Sequence, residues 1–268
     1  MSDTVFSGSI PVLYETLLVP LIFQPYAEDL KERLHCRPLS RVLEIAAGTG
    51  VVTRALASGL GKDVALIATD LNQAMLAQAA SIGTSRPVEW RQADASALPF
   101  EDGEFDAVVC QFGAMFFPDK PKAFAEARRV LRPGGLFLFN VWDRIDENEF
   151  ADVVTTAMQS LFPEKPPRFL ARTPHGYHDH EAIERDIAAA GFSATPHIET
   201  VAARSRAPSP RVPAIAYCQG TPLRNEIEAL DAQRLDEATD IATEAIAKRF
   251  GHDAVDGKIQ AHIVAVEN

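Results

Sequence analysis

What the chain has little of narrows its class before any motif is read. Cysteine is scarce: Cys36, Cys110 and Cys218 are the only three in 268 residues, scattered and odd in number. They give neither a disulfide framework nor metal-ligand spacing, so no metal is expected and a reducing compartment is. Positive charge is short, with 26 Lys and Arg against 37 Asp and Glu and a net charge of −11. A protein that wraps a phosphate backbone carries a basic face, so no nucleic-acid partner is expected. No apolar run approaches about 20 residues, and no basic segment with an apolar core opens the chain. No membrane span is therefore expected, and a cytoplasmic protein is. Repeats and low-complexity tracts are also missing. The remainder is ordinary: 47% hydrophobic and 24% charged residues, as in a soluble globule of one large domain or one domain with a cap.

The organising stretch is residues 41–53, R-V-L-E-I-A-A-G-T-G-V-V-T. Its apolar run (Val42, Leu43, Ile45) reads as a strand buried on both faces. The run stops at the small residues Ala46, Ala47, Gly48, Thr49 and Gly50, and residues 53–58 open a helix. Strand, glycine turn and helix place a ligand at the carboxyl end of a parallel strand, where a missing Cβ lets the backbone approach it. A dinucleotide site wants G-x-G-x-x-G, and here Val51, Val52 and Thr53 follow Gly50, so the third glycine is absent. Glu44 lies one residue inside the strand end. A carboxylate there repels a pyrophosphate and suits a ligand with an ammonium group.

Strands recur at residues 64–69, 88–93, 105–110 and 136–141, buried at 64–69 and 105–110 and with Glu89, Arg91 and Gln92 at exposed or edge positions in 88–93, and helices lie between them. That alternation indicates a doubly wound sheet. Asp70 ends the second strand about 20 residues past the glycine turn. A carboxylate at that place accepts from both hydroxyls of a ribose; the alternative is that it caps the helix after Asn72. Gln111, Phe112, Gly113, Ala114, Met115, Phe116 and Phe117 follow the fourth strand, apolar and at another carboxyl end, and are expected to line the crevice.

The E-x-A-x-G-x-G run from Glu44 to Gly50 resembles the first motif of the class I S-adenosylmethionine-dependent methyltransferases, with Ala46 where their first glycine is usual. Alanine is expected to be accommodated there by a backbone at negative φ. The block D-A-S-A-L-P-F-E-D-G-E-F-D-A-V-V-C-Q-F from Asp94, and R-R-V-L-R-P-G-G-L-F-L-F from Arg128, are similar to motifs of the small-molecule, type 11 or quinone-biosynthesis-like branch. The resemblance implies a Rossmann-like, seven-stranded, mostly parallel α/β sheet with an antiparallel last strand. It implies S-adenosylmethionine as cofactor, held by Glu44, Ala46, Gly48, Gly50, Asp70, Leu71, Met75, Asp94, Ala95, Gln111 and Phe112. Asp94 would accept from the adenine amino group, Ala95 would donate from its backbone, and Gln111 and Phe112 would lie beside the methionine half. An N/D-P-P-Y motif is absent after the fourth strand, against nucleobase or glutamine methylation.

Residues 1–40 read as an N-terminal helical segment over the site, with short pieces in 10–23 interrupted by Pro11 and Pro20 and an amphipathic helix over 24–36. Tyr14 and Phe23, with Met115 and Phe116, either line a substrate pocket or pack as core. Residues 41–203 and 257–268 form the cofactor-binding core, with the sixth strand at 194–203 and the seventh at 258–266. Residues 204–256 form a helical insertion, a cap or lid that shapes the pocket or a homodimer contact. His175 and His178 are the candidates for a general base; in H-x-x-H-x-H they also invite a metal, but no further ligands accompany them. The reading is methyl transfer to a small, partly hydrophobic acceptor at carbon or oxygen. The alternatives are a nicotinamide-dependent oxidoreductase, opposed by the missing glycine and the lack of a Tyr-x-x-x-Lys pair, and a non-catalytic S-adenosylmethionine-binding protein.

Overall fold

The computed structural model describes residue 3, residue 6 and residues 8–268. Seven strands form one sheet in the order β3-β2-β1-β4-β5-β7-β6. They are β1 (Arg41–Glu44), β2 (Ala65–Asp70), β3 (Glu89–Gln92), β4 (Phe105–Gln111), β5 (Leu131–Trp142), β6 (His197–Ala207) and β7 (Val255–Glu267). β1 pairs in parallel with β2 and β4, β2 with β3, and β4 with β5. Gly134 N bonds Asn268 O, and Asp143 N bonds Gln260 O. Partner numbers that fall as β5 rises make β7 the antiparallel strand. The strand order reverses between β1 and β4, so their carboxyl ends diverge into a crevice.

Two compact units are distinguished. One comprises residues 24–141, 177–201 and 261–268. Its core is apolar on both sheet faces, as buried parallel strands require: Leu43, Val108, Val109, Phe137 and Phe139 are fully buried. Phe124, Phe137 and Phe139 cluster with ring centroids 4.8–5.4 Å apart. The other comprises residues 1–23, 142–176 and 202–260. Its helices include Glu149–Leu161, Arg211–Gln219, Leu223–Leu230 and Leu235–Phe250, packed through Phe150, Val154, Met158, Cys218, Ile227 and Ile246. This division departs from the expected boundaries. The helix Gln24–His35 groups with the sheet, and residues 142–176 group with the helical stretch 202–260.

The N-terminal segment also departs from the expected short pieces. Residues 10–35 are one continuous helical run of 26 residues, long and apolar enough to cross a bilayer by length and composition; half of its most apolar window is buried. Pro11 sits in the first turn, where its missing N–H has no intrahelical partner to lose. Pro20 falls inside the wider π-type stretch Tyr14–Phe23, which absorbs the ring by loosening the turn.

Candidate functional site

The residues expected to grip a ligand converge at the carboxyl ends of β1, β2 and β4. Glu44, the last residue of β1, stands opposite Ala68 of β2 and Val109 of β4. It is only 3% exposed. Burial pushes its carboxyl up to about 8, with the Thr53 hydroxyl and Arg54 pulling it down and Asp70 adding to the rise. The Thr53 hydroxyl donates to Glu44 Oε2, fixing one oxygen. At neutral pH this is a mostly protonated acid.

The turn after β1 is built from left-handed residues. Ala46, Gly48 and Gly50 have φ of 54°, 57° and 83°. The expected negative φ at Ala46 is therefore overturned. A non-glycine residue in this region costs about 1–2 kcal/mol. Gly113 shows how the strain is housed: a Cβ there would lie 2.5 Å from the Ala46 Cβ and 2.8 Å from Cys110 Sγ. The methyl that motif glycines lack occupies the space that Gly113 leaves. Gly50 is equally constrained, since a Cβ would approach the Trp90 ring to 2.9 Å and the Ala79 Cβ to 3.2 Å.

Asp70 closes the turn. Gly48 N donates to its Oδ2 at 2.8 Å, and Asn72 N to its Oδ1 at 2.7 Å. Burial raises its pKa against those two N–H groups. Each carboxylate oxygen keeps a second lone pair, so both the capping role and acceptance from two hydroxyls are available to one side chain. Leu71 is half-exposed beside it, and Met75 is buried in the helix Gln73–Ile82. Asp94 lies in an exposed turn. Its Oδ1 takes the Ser96 N–H and hydroxyl, both at 2.8 Å, which hold its carboxyl below the usual carboxylate range. Ala95 is partly buried in the same turn.

Gln111 ends β4 opposite Asn140 of β5. Phe112 follows with φ of 50°, its N–H donating to Asn140 Oδ1 at 2.9 Å and to Asn140 O at 3.2 Å. Its ring stands edge-on to Tyr26, centroids 5.3 Å apart. Met115 is buried and Phe116 partly buried in one tight turn, whose carbonyls at Met115 and Phe117 accept from Lys120 Nζ at 3.4 and 3.0 Å. Sequence reasoning missed Asn140, Thr53 and Tyr26. The signal for Asn140 was a lone amide inside the apolar run L-F-L-F-N-V; its Nδ2 is buried without a hydrogen-bond partner.

The remaining candidates fall in the unit of residues 1–23, 142–176 and 202–260, apart from His178. Tyr14 and Phe23 stack at 4.8 Å, and Phe23 lies 6.0 Å from Trp142. Trp142 in turn lies 6.0 Å from the His175 ring. His175 is buried, with Nδ1 2.8 Å from the Asp143 carbonyl. A carbonyl only accepts, so Nδ1 carries the hydrogen and Nε2 is the basic nitrogen. His178 is half-buried in the other unit. His180 pairs instead with His262, Nε2 to Nδ1 at 3.2 Å. Among the described residues, no group of three His, Cys, Asp or Glu side chains gathers to hold a metal ion.

Comparison with known proteins follows this geometry. A family described as a methyltransferase domain matches residues 43–139. A ubiquinone/menaquinone biosynthesis C-methyltransferase of Ectopseudomonas mendocina is 33% identical over 169 residues, 58% of this chain and 66% of that protein. A demethylmenaquinone methyltransferase of Mycolicibacterium gilvum is 34% identical over 172 residues, 61% of this chain and 72% of that protein. The chain thus spans about two thirds of these curated relatives' length. In fold, it matches a phosphoethanolamine N-methyltransferase of Haemonchus contortus solved with S-adenosyl-L-methionine. The TM-score there is 0.58 at 17% identity, over 96% of this chain and 56% of that one.

Proposed function

The chain belongs to the class I S-adenosylmethionine-dependent methyltransferases, in the type 11 branch, and from that premise we propose that it methylates a small, partly apolar acceptor at carbon or oxygen. The observation that carries the reading is the acid–turn–acid arrangement: Glu44 and Asp70 flank a turn of left-handed residues, with Asp70 already bonded to Gly48 N. The donor set suits the cofactor. A buried acid raised to about 8 answers an ammonium, and a carboxylate with spare lone pairs answers two ribose hydroxyls. No Cβ intrudes at Gly48 or Gly50.

When bound, S-adenosylmethionine supplies a methyl group already activated on a sulfonium. The chain's own residues bind, orient and exclude water, which is the larger part of an in-line displacement. In this reading Glu44 holds the amino-acid ammonium, Asp70 the ribose, and Asp94 with Ala95 the adenine. Phe112 and Gln111 border the methionine half. Met115 and Phe116 give the acceptor apolar walls, while Tyr14 and Phe23 stack on each other in the other unit. His175 rather than His178 is the base, because the Asp143 carbonyl sets its tautomer with a basic Nε2. An acceptor of the quinone class, as the names of the curated relatives indicate for those proteins, is the one we favour.

The test is calorimetric titration with S-adenosylhomocysteine and with NAD, for the wild type and Asp70→Ala. Binding of the first alone is expected. The variant is expected to lose about 2–4 kcal/mol of affinity, since bonds to charged groups are worth about 1.5–3 kcal/mol each. A folded variant that binds within about threefold of wild type removes the ribose role. Turnover with a panel of hydroquinones and phenols then separates an enzyme from a binding protein.

A further inference from the structure

We propose that a cleft built by residues 165–168, Arg172 and the end of the helix Leu223–Leu230 binds a small amphipathic anion: a carboxylate or sulfonate on an apolar body. The cleft lies wholly within the unit of residues 1–23, 142–176 and 202–260, and none of its residues serves the methyl-transfer reading. Its volume is 440 Å³, within the range of about 300–1,000 Å³ that ligand clefts occupy.

The floor is tied together by hydrogen bonds and ion pairs. Glu226 Oε2 accepts from the backbone N–H of Arg168 at 2.8 Å and of Phe169 at 3.0 Å. Its Oε1 pairs with Arg172 Nη1 at 2.8 Å, and Arg172 Nη2 pairs with Asp3 at 2.7 Å. Arg172 is thus outnumbered by its two acids, and this floor of one cation and two anions nets −1. Lys165 and Arg168 are different. Their side chains line the cleft, are exposed, and make no ion pair or hydrogen bond to any described residue. In a chain of net charge −11, Lys165 and Arg168 bring this lining to three cations against two acids, a local inversion of sign. Between them stand Pro166 and Pro167, whose rings fix the backbone that carries both cations. Leu230, 36% exposed, lines the same cleft.

Two cations on a stiff proline turn select an anion, and the apolar wall of prolines and Leu230 selects a ligand with a hydrocarbon body over a bare ion. Phosphate alone would leave that wall wet. A purely apolar ligand would leave the cations without purpose.

The experiment uses the full chain and decanoate as probe, with inorganic phosphate and decyltrimethylammonium as comparators, followed by calorimetry and amide NMR. Decanoate is expected to bind once per chain, with amide shifts at residues 165–172 and 226–230, and to weaken several-fold at high salt. Lys165→Ala/Arg168→Ala is expected to lose at least tenfold in decanoate affinity while its melting temperature and its S-adenosylhomocysteine affinity stay unchanged. Leu230→Asp is expected to lose a similar factor. Equal decanoate binding by the double variant overturns the proposal. So does phosphate binding as tight as decanoate, which would mark a bare-anion site, or decyltrimethylammonium binding as tight, which would mark nonspecific apolar adsorption.

Discussion

Replacing Glu44 by Gln removes one ionisable group while keeping an acceptor for the Thr53 hydroxyl. In the free protein, burial holds the Glu44 carboxyl at about 8. At pH 7 such a group carries about 0.9 of a proton. S-adenosylhomocysteine keeps the amino-acid ammonium of the methyl donor and lacks only the sulfonium methyl. An ammonium seated against Glu44 favours the carboxylate, so binding expels that proton. Titration at pH 7 in phosphate and in Tris is then expected to give apparent enthalpies that differ by the buffers' ionisation enthalpies times roughly 0.9 proton released. Glu44→Gln is expected to abolish the difference. It is also expected to lose about 10- to 150-fold in affinity, the equivalent of roughly 1.5–3 kcal/mol for a charge-assisted bond. The Gln variant also isolates Glu44 from Asp70, whose carboxyl is raised by burial too. Wild-type titrations that bind ligand with no exchange of protons would refute the placement of the ammonium at Glu44.

The same carboxyl ties stability to pH. Native Glu44 keeps its proton up to about 8, whereas the unfolded side chain loses it near 4.5. The native state therefore binds more protons between those values; the contribution is complete below the lower one and lost above the upper. Glu44→Gln is expected to flatten that decline and gain roughly 2–4 kcal/mol over wild type at high pH, read from urea midpoints at pH 5 and pH 9; parallel curves for the two proteins would count against it. Gly113→Ala is expected to cost about 1–3 kcal/mol by overpacking against Ala46. Ala46→Gly is expected to be neutral or to stabilise by up to about 1 kcal/mol, since released strain exceeds the entropy of an added glycine. The double variant is expected to recover about 1 kcal/mol relative to the sum, and strict additivity would show that the two turns do not share that space. For His175, long-range ¹H–¹⁵N correlations are expected to report a hydrogen on Nδ1 and none on Nε2 in the neutral ring; the opposite tautomer would remove it as the base.

How much of this was readable before folding depends on where each residue's conformation is decided. Buried parallel strands announce themselves as apolar runs, so β1, β2, β4 and β5 and their carboxyl ends were found, and with them Glu44, Asp70 and Gln111. The edge strand β3 carries exposed Glu89, Arg91 and Gln92 and is shorter than its pattern suggested. Pro20 read as a helix break because a break is the local answer; packing of Leu18, Leu21 and Ile22 on either side of it holds the helix together in a π-type turn.

Ala46 is the instructive case. Its own preference is for negative φ, and nothing within the motif argues otherwise. Its positive φ is settled by hydrogen bonds on both sides, Ile45 N to Val109 O and Ala47 N to Thr69 O, which leave the chain one way to cross from β1 into the turn. Those partners lie 64 and 22 residues further along, and the room for the methyl is granted by Gly113. Asn140 follows the same logic. An amide in an apolar strand is expensive unless something needs it, and what needs it is the left-handed Phe112, whose N–H it accepts. The two turns that border the crevice, after β1 and after β4, are each held in a costly conformation by residues of adjacent strands. A motif read along the chain sees the glycines that permit such a conformation. The residues that compel it sit elsewhere, Thr69 on β2, Val109 on β4, Asn140 on β5 and Gly113 in the turn after β4, so substitutions there are expected to reach these turns from a distance in sequence.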